Sequence, residues 1–202
     1  MGNLRSVEKA LEHVGARARV TNDHDAARNA AGLVLPGVGA FPRAMQRIRE
    51  LGLDEVVAER LAAGTPTLGI CLGLQLLFES SDELGGAEGL GLVAGTVGKL
   101  DTGGLKLPQI GWNEVAWRRR SELHDGLPER CAFYHVHSFV AVPARSQDVL
   151  GVCEYGEQFA SVVGKDSFYG VQFHPEKSSA AGLRLLANFA RICAAAPTLS
   201  SR

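Results

Sequence analysis

An α/β fold in one domain is predicted by three features of this chain. Glycine occupies 24 of 202 positions, many of them between apolar runs where a strand would turn into a helix. In the first half, short apolar runs at 33–35 and 67–70 alternate with amphipathic stretches. Beyond about Gly89 the pattern changes to strand-like segments separated by turn residues. With 46% hydrophobic and 21% charged residues, the chain suits one compact domain over 1–193, with 194–202 expected as a flexible tail.

The elements follow in order. Leu4, Val7, Leu11 and Val14 share one helical stripe, so a helix opens the chain. Residues 33–35 form a buried strand ending in Pro36-Gly37-Val38-Gly39. Phe41, Ala44, Met45 and Ile48 mark a second amphipathic helix, with Pro42 suited to its first turn. Residues 67–70 form another buried strand, ending at Cys71, and 74–78 an apolar helical stretch. Strands are expected at 91–97, 114–117, 132–140, 149–155, 159–163 and 168–173. A closing helix at 180–193 carries Leu183, Leu186, Phe189, Ile192 and Cys193 at helical spacing.

Composition excludes several functions. The 21 Lys and Arg against 22 Asp and Glu leave a formal charge of -1, without the basic excess of a nucleic-acid surface. No apolar run approaches the roughly 18 residues of a membrane span, and the first six residues lack the apolar stretch of a signal peptide. A soluble, cytoplasmic protein is expected. The four cysteines, Cys71, Cys131, Cys153 and Cys193, show no Cys-x-x-Cys spacing, so free thiols are expected. Three motif matches fail on context. Gly89-Leu90-Gly91-Leu92-Val93-Ala94 leads into strand-like sequence instead of a helix, Gly98-Lys99 lacks the rest of a P-loop, and Met1-Gly2 with Ser6 is a short formal match to a myristoylation signal.

Gly69-Ile70-Cys71-Leu72-Gly73 reads as a nucleophile elbow. A sharp strand-to-helix turn needs small neighbours, so Gly69 and Gly73 let the backbone bend and present the cysteine. At a helix start the thiolate is favoured, and the Leu72 amide points where an oxyanion would form. A buried core cysteine is the bland alternative. A nucleophile needs an oriented base, and His174 with Glu176 supplies a pair at the end of the last strand, with Pro175 fixing the chain between them. Gly37, Val38 and Gly39 form a loop whose amides are suited to an oxyanion, or simply turn a strand into a helix. His135 and His137 share a strand face and, with His174, would make a three-histidine cluster. No carboxylate or cysteine at ligand spacing accompanies them, so no metal is expected. On these residues alone, a cysteine hydrolase of peptides or small thioesters also remains open, as does a non-enzymatic binding module.

Three segments, residues 68–75, the loop 35–41 and Gly170-Val171-Gln172-Phe173-His174-Pro175-Glu176, resemble the class I (triad) glutamine amidotransferases. Within that family, Gly2-Asn3-Leu4-Arg5-Ser6, Gly111-Trp112-Asn113-Glu114 and 134–139 are similar to the glutaminase subunits of imidazole glycerol phosphate synthases, and the match runs from Gly2 to about Ala190. The resemblance implies a three-layer fold with a mixed, mostly parallel central sheet. It implies a Cys71–His174–Glu176 triad, with Cys71 attacking the glutamine side-chain amide, His174 moving protons and Glu176 orienting His174. Val38, flanked by Gly37 and Gly39, and Leu72 would supply the oxyanion amides; Gln75 and Glu83 would hold the α-amino end, and Ser138 with its neighbour His137 the carboxylate side. Trp112, Asn113, Tyr134 and Lys177 would face a (β/α) barrel cyclase subunit in a heterodimer that takes the ammonia; no cofactor is implied. Family members have a histidine where Gln109 stands and an aromatic where His135 stands. They also begin with a strand before the Gly-Asn-Leu-Arg turn, so the expectation is that the true start lies upstream and that an upstream-extended chain is more stable than this one.

Overall fold

The computed structural model describes residues 4–196; the Gly2-Asn3 part of the first motif and the tail from 197 onward lie outside the described residues. The chain runs α1 (Leu4–His13), α2 (His24–Arg28), β1 (Leu33–Gly37), α3 (Phe41–Glu50), α4 (Leu53–Ala62), β2 (Thr67–Cys71), α5 (Leu72–Gln75), β3 (Phe78–Ser81) and β4 (Ala87–Glu88). It continues through β5 (Val93–Lys99), β6 (Gln109–Trp117), β7 (Arg130–His137), β8 (Phe139–Pro143), β9 (Val149–Tyr155), β10 (Glu157–Lys165), β11 (Phe168–Val171) and α6 (Ser179–Ala195). No helix among the described residues is long and apolar enough to cross a membrane.

Among the described residues, eleven strands form one sheet in the order β1-β2-β11-β10-β8-β5-β3-β4, with β9 branching from β10 to carry β6 and β7. The sheet is mixed, as expected, but its balance differs from the expectation. Among the described residues, parallel pairing is confined to β1 with β2, β2 with β11, and β3 with β5; every other pairing there is antiparallel. β9 and β10 are joined through Gly156 alone and β10 and β11 through two residues, connections short enough to permit only antiparallel neighbours.

Helices cover both faces. On one, Val7, Ala10 and Leu11 of α1 and Leu185, Leu186 and Phe189 of α6 pack against Leu68 and Ile70 of β2. On the other, Phe41 and Met45 of α3 and Val57 of α4 pack against Leu74, Phe78 and Val163. Val7 and Leu11 of the α1 stripe and Phe41 and Met45 of the α3 stripe thus face the core, whereas Leu4 at the start of α1 is exposed, and Pro42 sits in the first turn of α3 as predicted. The expected strand at 132–140 is interrupted at Ser138 into β7 and β8, and the stretch 74–78 is not one helix. α5 is a single turn ending at Gln75, because Phe78 leaves it to open β3 beside β5. α2, α4, β3 and β4 are additional to the expected elements.

Leu186 is fully buried between α6 and the sheet. Leu186→Ala is expected to lower the unfolding free energy by about 2–5 kcal/mol, read from denaturant midpoints; a loss under about 1 kcal/mol would contradict this packing.

Candidate active site

Parallel neighbours end at the same edge of a sheet, and this places the candidate residues. β2 lies between β1 and β11, with Gly37 level with Cys71 and Val171 level with Ile70. The loop after β1, the cysteine ending β2 and the segment after β11 therefore emerge side by side. In open α/β sheets this carboxyl edge is where ligands bind.

Cys71 takes φ 53°, ψ -112°, a conformation costing a non-glycine residue on the order of 1–3 kcal/mol. The bend is carried by the cysteine itself. Gly69 and Gly73 have no positive φ; they are required by close approach. A Cβ on Gly73 would lie 1.6 Å from the Leu35 carbonyl oxygen, and one on Gly69 2.7 Å from the Leu74 backbone. Both glycines are thus required by the elbow, but for close packing and not for backbone freedom.

Opposite the sulfur, His174 is anchored through its main chain. Its N–H donates to the Tyr134 carbonyl at 2.9 Å, and its carbonyl accepts from the Ser178 hydroxyl at 2.6 Å. The same hydroxyl accepts from the Tyr134 N–H at 2.9 Å. Phe173 stacks on Phe133 at 3.9 Å between ring centroids, which fixes the preceding residue. The His174 Nδ1 lies 2.9 Å from Glu176 Oε1, with both side chains buried. That leaves Nε2 for the hydrogen bond between the ring and Cys71. Burial opposes the charge on His174, but the bonds to Cys71 and Glu176 and their charges outweigh it and raise its pKa to about 9. At neutral pH the ring is thus an imidazolium beside the sulfur.

A cleft of about 270 Å³ opens over Cys71 and His174. Val38, Gly39 and Leu72 line it, and Gly39 needs the φ of 106° that glycine tolerates. Gly37 does not line the cleft; it lies below, where a Cβ would meet the Leu72 side chain at 2.9 Å. Gln75, Glu83, His137 and Ser138 all line it. Glu83 Oε2 already accepts from the Phe41 N–H at 2.8 Å, tying the start of α3, just after the glycine loop, to the cleft. Burial, then the neighbouring His135, pushes His137 down to about 3, so it lines the cleft as a neutral ring. His135, pushed by burial to about 4, is turned into the core, with Nδ1 against the Phe133 carbonyl at 3.0 Å and Nε2 against the Ser161 hydroxyl at 3.1 Å. Both its nitrogens are occupied, so the three histidines do not converge on a metal. No cluster of three ligating side chains occurs among the described residues.

The four residues assigned to a partner surface are divided. Trp112 is 53% exposed and meets the Tyr134 ring edge-on at 6.1 Å, and the Lys177 Nζ lies 6.0 Å above the same ring, beside the cleft. Asn113, next in the strand, points to the other face and donates to the Glu154 carbonyl at 3.5 Å. Ile110, 61% exposed two residues before Trp112, extends the apolar face and was not anticipated. Ser178 and Gln172, both fully buried beside the site, were also missed: neither residue type carries a local signal there.

The raised His174 value gives a pH dependence of definite sign. About 9 in the fold lies above the roughly 6.5 of a free imidazole, so the charged ring stabilises the fold fully below about pH 6.5, and this contribution is lost as pH rises through about 9. Glu176→Gln removes one group that holds the proton, so the His174 ring is expected to titrate at lower pH than in the native chain, followed by NMR of its Cε1–H. An unchanged midpoint would contradict the pairing.

The profile of the family described as "Glutamine amidotransferase class-I" matches residues 1–193. The imidazole glycerol phosphate synthase subunit HisH of Symbiobacterium thermophilum is 50% identical over 192 residues, covering 95% of this chain and 90% of that protein. The HisH subunit of Aquifex aeolicus is also 50% identical, over 95% of this chain and 92% of its own. A solved glutamine amidotransferase superposes with a TM-score of 0.71 at 20% identity, over 96% of this chain and 95% of that one, a likeness of fold. With a profile match over nearly its whole length and the cysteine elbow at the carboxyl edge of its sheet, the chain belongs to the class I glutamine amidotransferases.

Proposed function

We propose that this chain is the glutaminase subunit of an imidazole glycerol phosphate synthase, acting in the cytoplasm in histidine biosynthesis. The observation that carries the reading is the convergence of Cys71, His174 and Glu176 on one cleft in a chain half identical to curated subunits of that synthase.

The chemistry follows from the geometry. The Cys71 thiolate attacks the side-chain carbonyl carbon of glutamine, and the oxyanion that forms is received by the Val38 and Leu72 amides. His174, an imidazolium at neutral pH, gives its proton to the departing nitrogen, so ammonia leaves and a glutamyl thioester remains. Now neutral, the same ring takes a proton from water as the water attacks the thioester; glutamate is released and the thiolate and imidazolium are restored. Glu176 holds the ring in the tautomer that serves both steps. Gln75 and Glu83 receive the α-amino end of glutamine, and Ser138 with neutral His137 the carboxylate side.

The ammonia goes to a barrel cyclase subunit, docked on the exposed face of Ile110, Trp112 and Tyr134 beside Lys177. The cyclase uses it on a phosphorylated ribonucleotide intermediate, giving imidazole glycerol phosphate and aminoimidazole carboxamide ribotide. The glycine loop that carries Val38 is the element the partner would set, so the chain alone is expected to be slow.

Glutamate release from glutamine, measured for the chain alone and with a cyclase subunit and its ribonucleotide, tests this reading. Release is expected to need the partner, and Cys71→Ala is expected to lower it by at least about 10³-fold. Full turnover by the isolated chain, or undiminished turnover by Cys71→Ala, would overturn it.

A further inference from the structure

Beneath the reacting sulfur lies a buried amide that none of the steps of glutamine hydrolysis uses. Gln172 follows β11 directly and is fully buried, its backbone N–H donating to the Ser161 carbonyl at 2.9 Å. Its side-chain Nε2 lies 3.7 Å from Cys71 Sγ, within reach of a hydrogen bond to sulfur. Its Oε1 accepts from Gln75 Nε2 at 3.1 Å, and that same nitrogen donates to the Phe139 carbonyl at 2.8 Å.

This chain of contacts fixes which end of each amide points where. The Phe139 carbonyl only accepts, so the Gln75 atom facing it is the NH₂. An NH₂ facing Gln172 requires the Gln172 oxygen there, and the Gln172 NH₂ is then turned to the sulfur. The other neutral group at the sulfur, the Val136 carbonyl at 3.7 Å, can only accept a proton from the thiol and opposes the thiolate. Of the two, Gln172 alone can donate to the sulfur anion.

We propose that Gln172 holds the Cys71 sulfur as a hydrogen-bond donor and sustains its thiolate before glutamine arrives, oriented for this by Gln75 in the wall of the cleft. The proposal rests on Cys71 being the nucleophile. Once the proton has passed from sulfur to His174, the Gln172 N–H balances the repulsion of the Val136 carbonyl.

The test is the pH dependence of Cys71 carboxamidomethylation by iodoacetamide, read peptide by peptide in the full chain with no glutamine present. In Gln172→Met, which keeps the length and loses the donor, the midpoint at Cys71 is expected to rise by about one pH unit, a tenfold weaker hold on the thiolate. In Gln172→Glu, which sets an oxygen against the sulfur, it is expected to rise at least as far, while Cys131 keeps its native midpoint in both. A second measurement needs no variant of Gln172: its side-chain amide NMR signals in the native chain should shift with pH in step with Cys71 alkylation, and stay still in Cys71→Ala. A folded variant with an unmoved Cys71 midpoint, or amide signals that ignore the Cys71 titration, overturns the proposal. Shifted midpoints without glutamate release in any mixture would uphold the role of Gln172 and count against the proposed function instead.

Discussion

The site depends on one constraint, the parallel pairing of β2 with a strand on each side. β1, β2 and β11 come from distant parts of the chain, and their register alone sets Gly37 beside Cys71 and brings the residues after Val171 to the same edge. If β2 and β11 ran antiparallel, the cysteine and the histidine would stand at opposite ends of the sheet. The close approach of α5 follows from the same arrangement: Gly73 rests on the Leu35 carbonyl of β1, so the single helical turn is clamped onto its neighbour strand. The helices on either face matter to the chemistry mainly because they hold these three strands in register.

Two unfavourable features are concentrated at this edge. Cys71 has a strained backbone, and the His174–Glu176 pair is buried, with relative side-chain exposures of 3% and 0%. Burial alone would neutralise the imidazole, as it does for His135 and His137 of β7. His174 keeps its proton because it has two partners of the right charge, where His135 has a carbonyl and a hydroxyl. The three histidines thus differ in protonation: burial dominates at His135 and His137, whereas at His174 the Cys71 sulfur and the Glu176 carboxylate outweigh it.

What was legible in the sequence was local. The Gly-x-Cys-x-Gly run and the His-Pro-Glu run are each a few residues long, and each constrains its own backbone, so both could be read without knowing what they touch. The contact between them could not be read, because strand order is a long-range property. α4 was missed although Val56 and Val57 face the core, since its apolar pattern is short; α2, five residues with none buried, gives almost no periodic signal. Residues 74–78 form a short apolar run whose helix or strand state is set by tertiary pairing, and the pairing of Phe78 with β5 divided it. The surplus of antiparallel pairs comes largely from strands distant in the chain, β5 with β8, β8 with β10 and β6 with β9, whose pairing no local signal reveals. Gln172 illustrates the limit: an amide at the end of a strand has meaning only once the sulfur is known to lie 3.7 Å away.

The central claim is that this edge builds a covalent glutamyl-enzyme on Cys71. Mixing the chain with its cyclase partner, the ribonucleotide and glutamine, quenching in acid within the first turnover and mapping peptides by mass spectrometry tests it directly. The account predicts one adduct, on the Cys71 peptide, with the mass of glutamine less ammonia. Glutamate release with no such adduct, or an adduct on another residue, would contradict it.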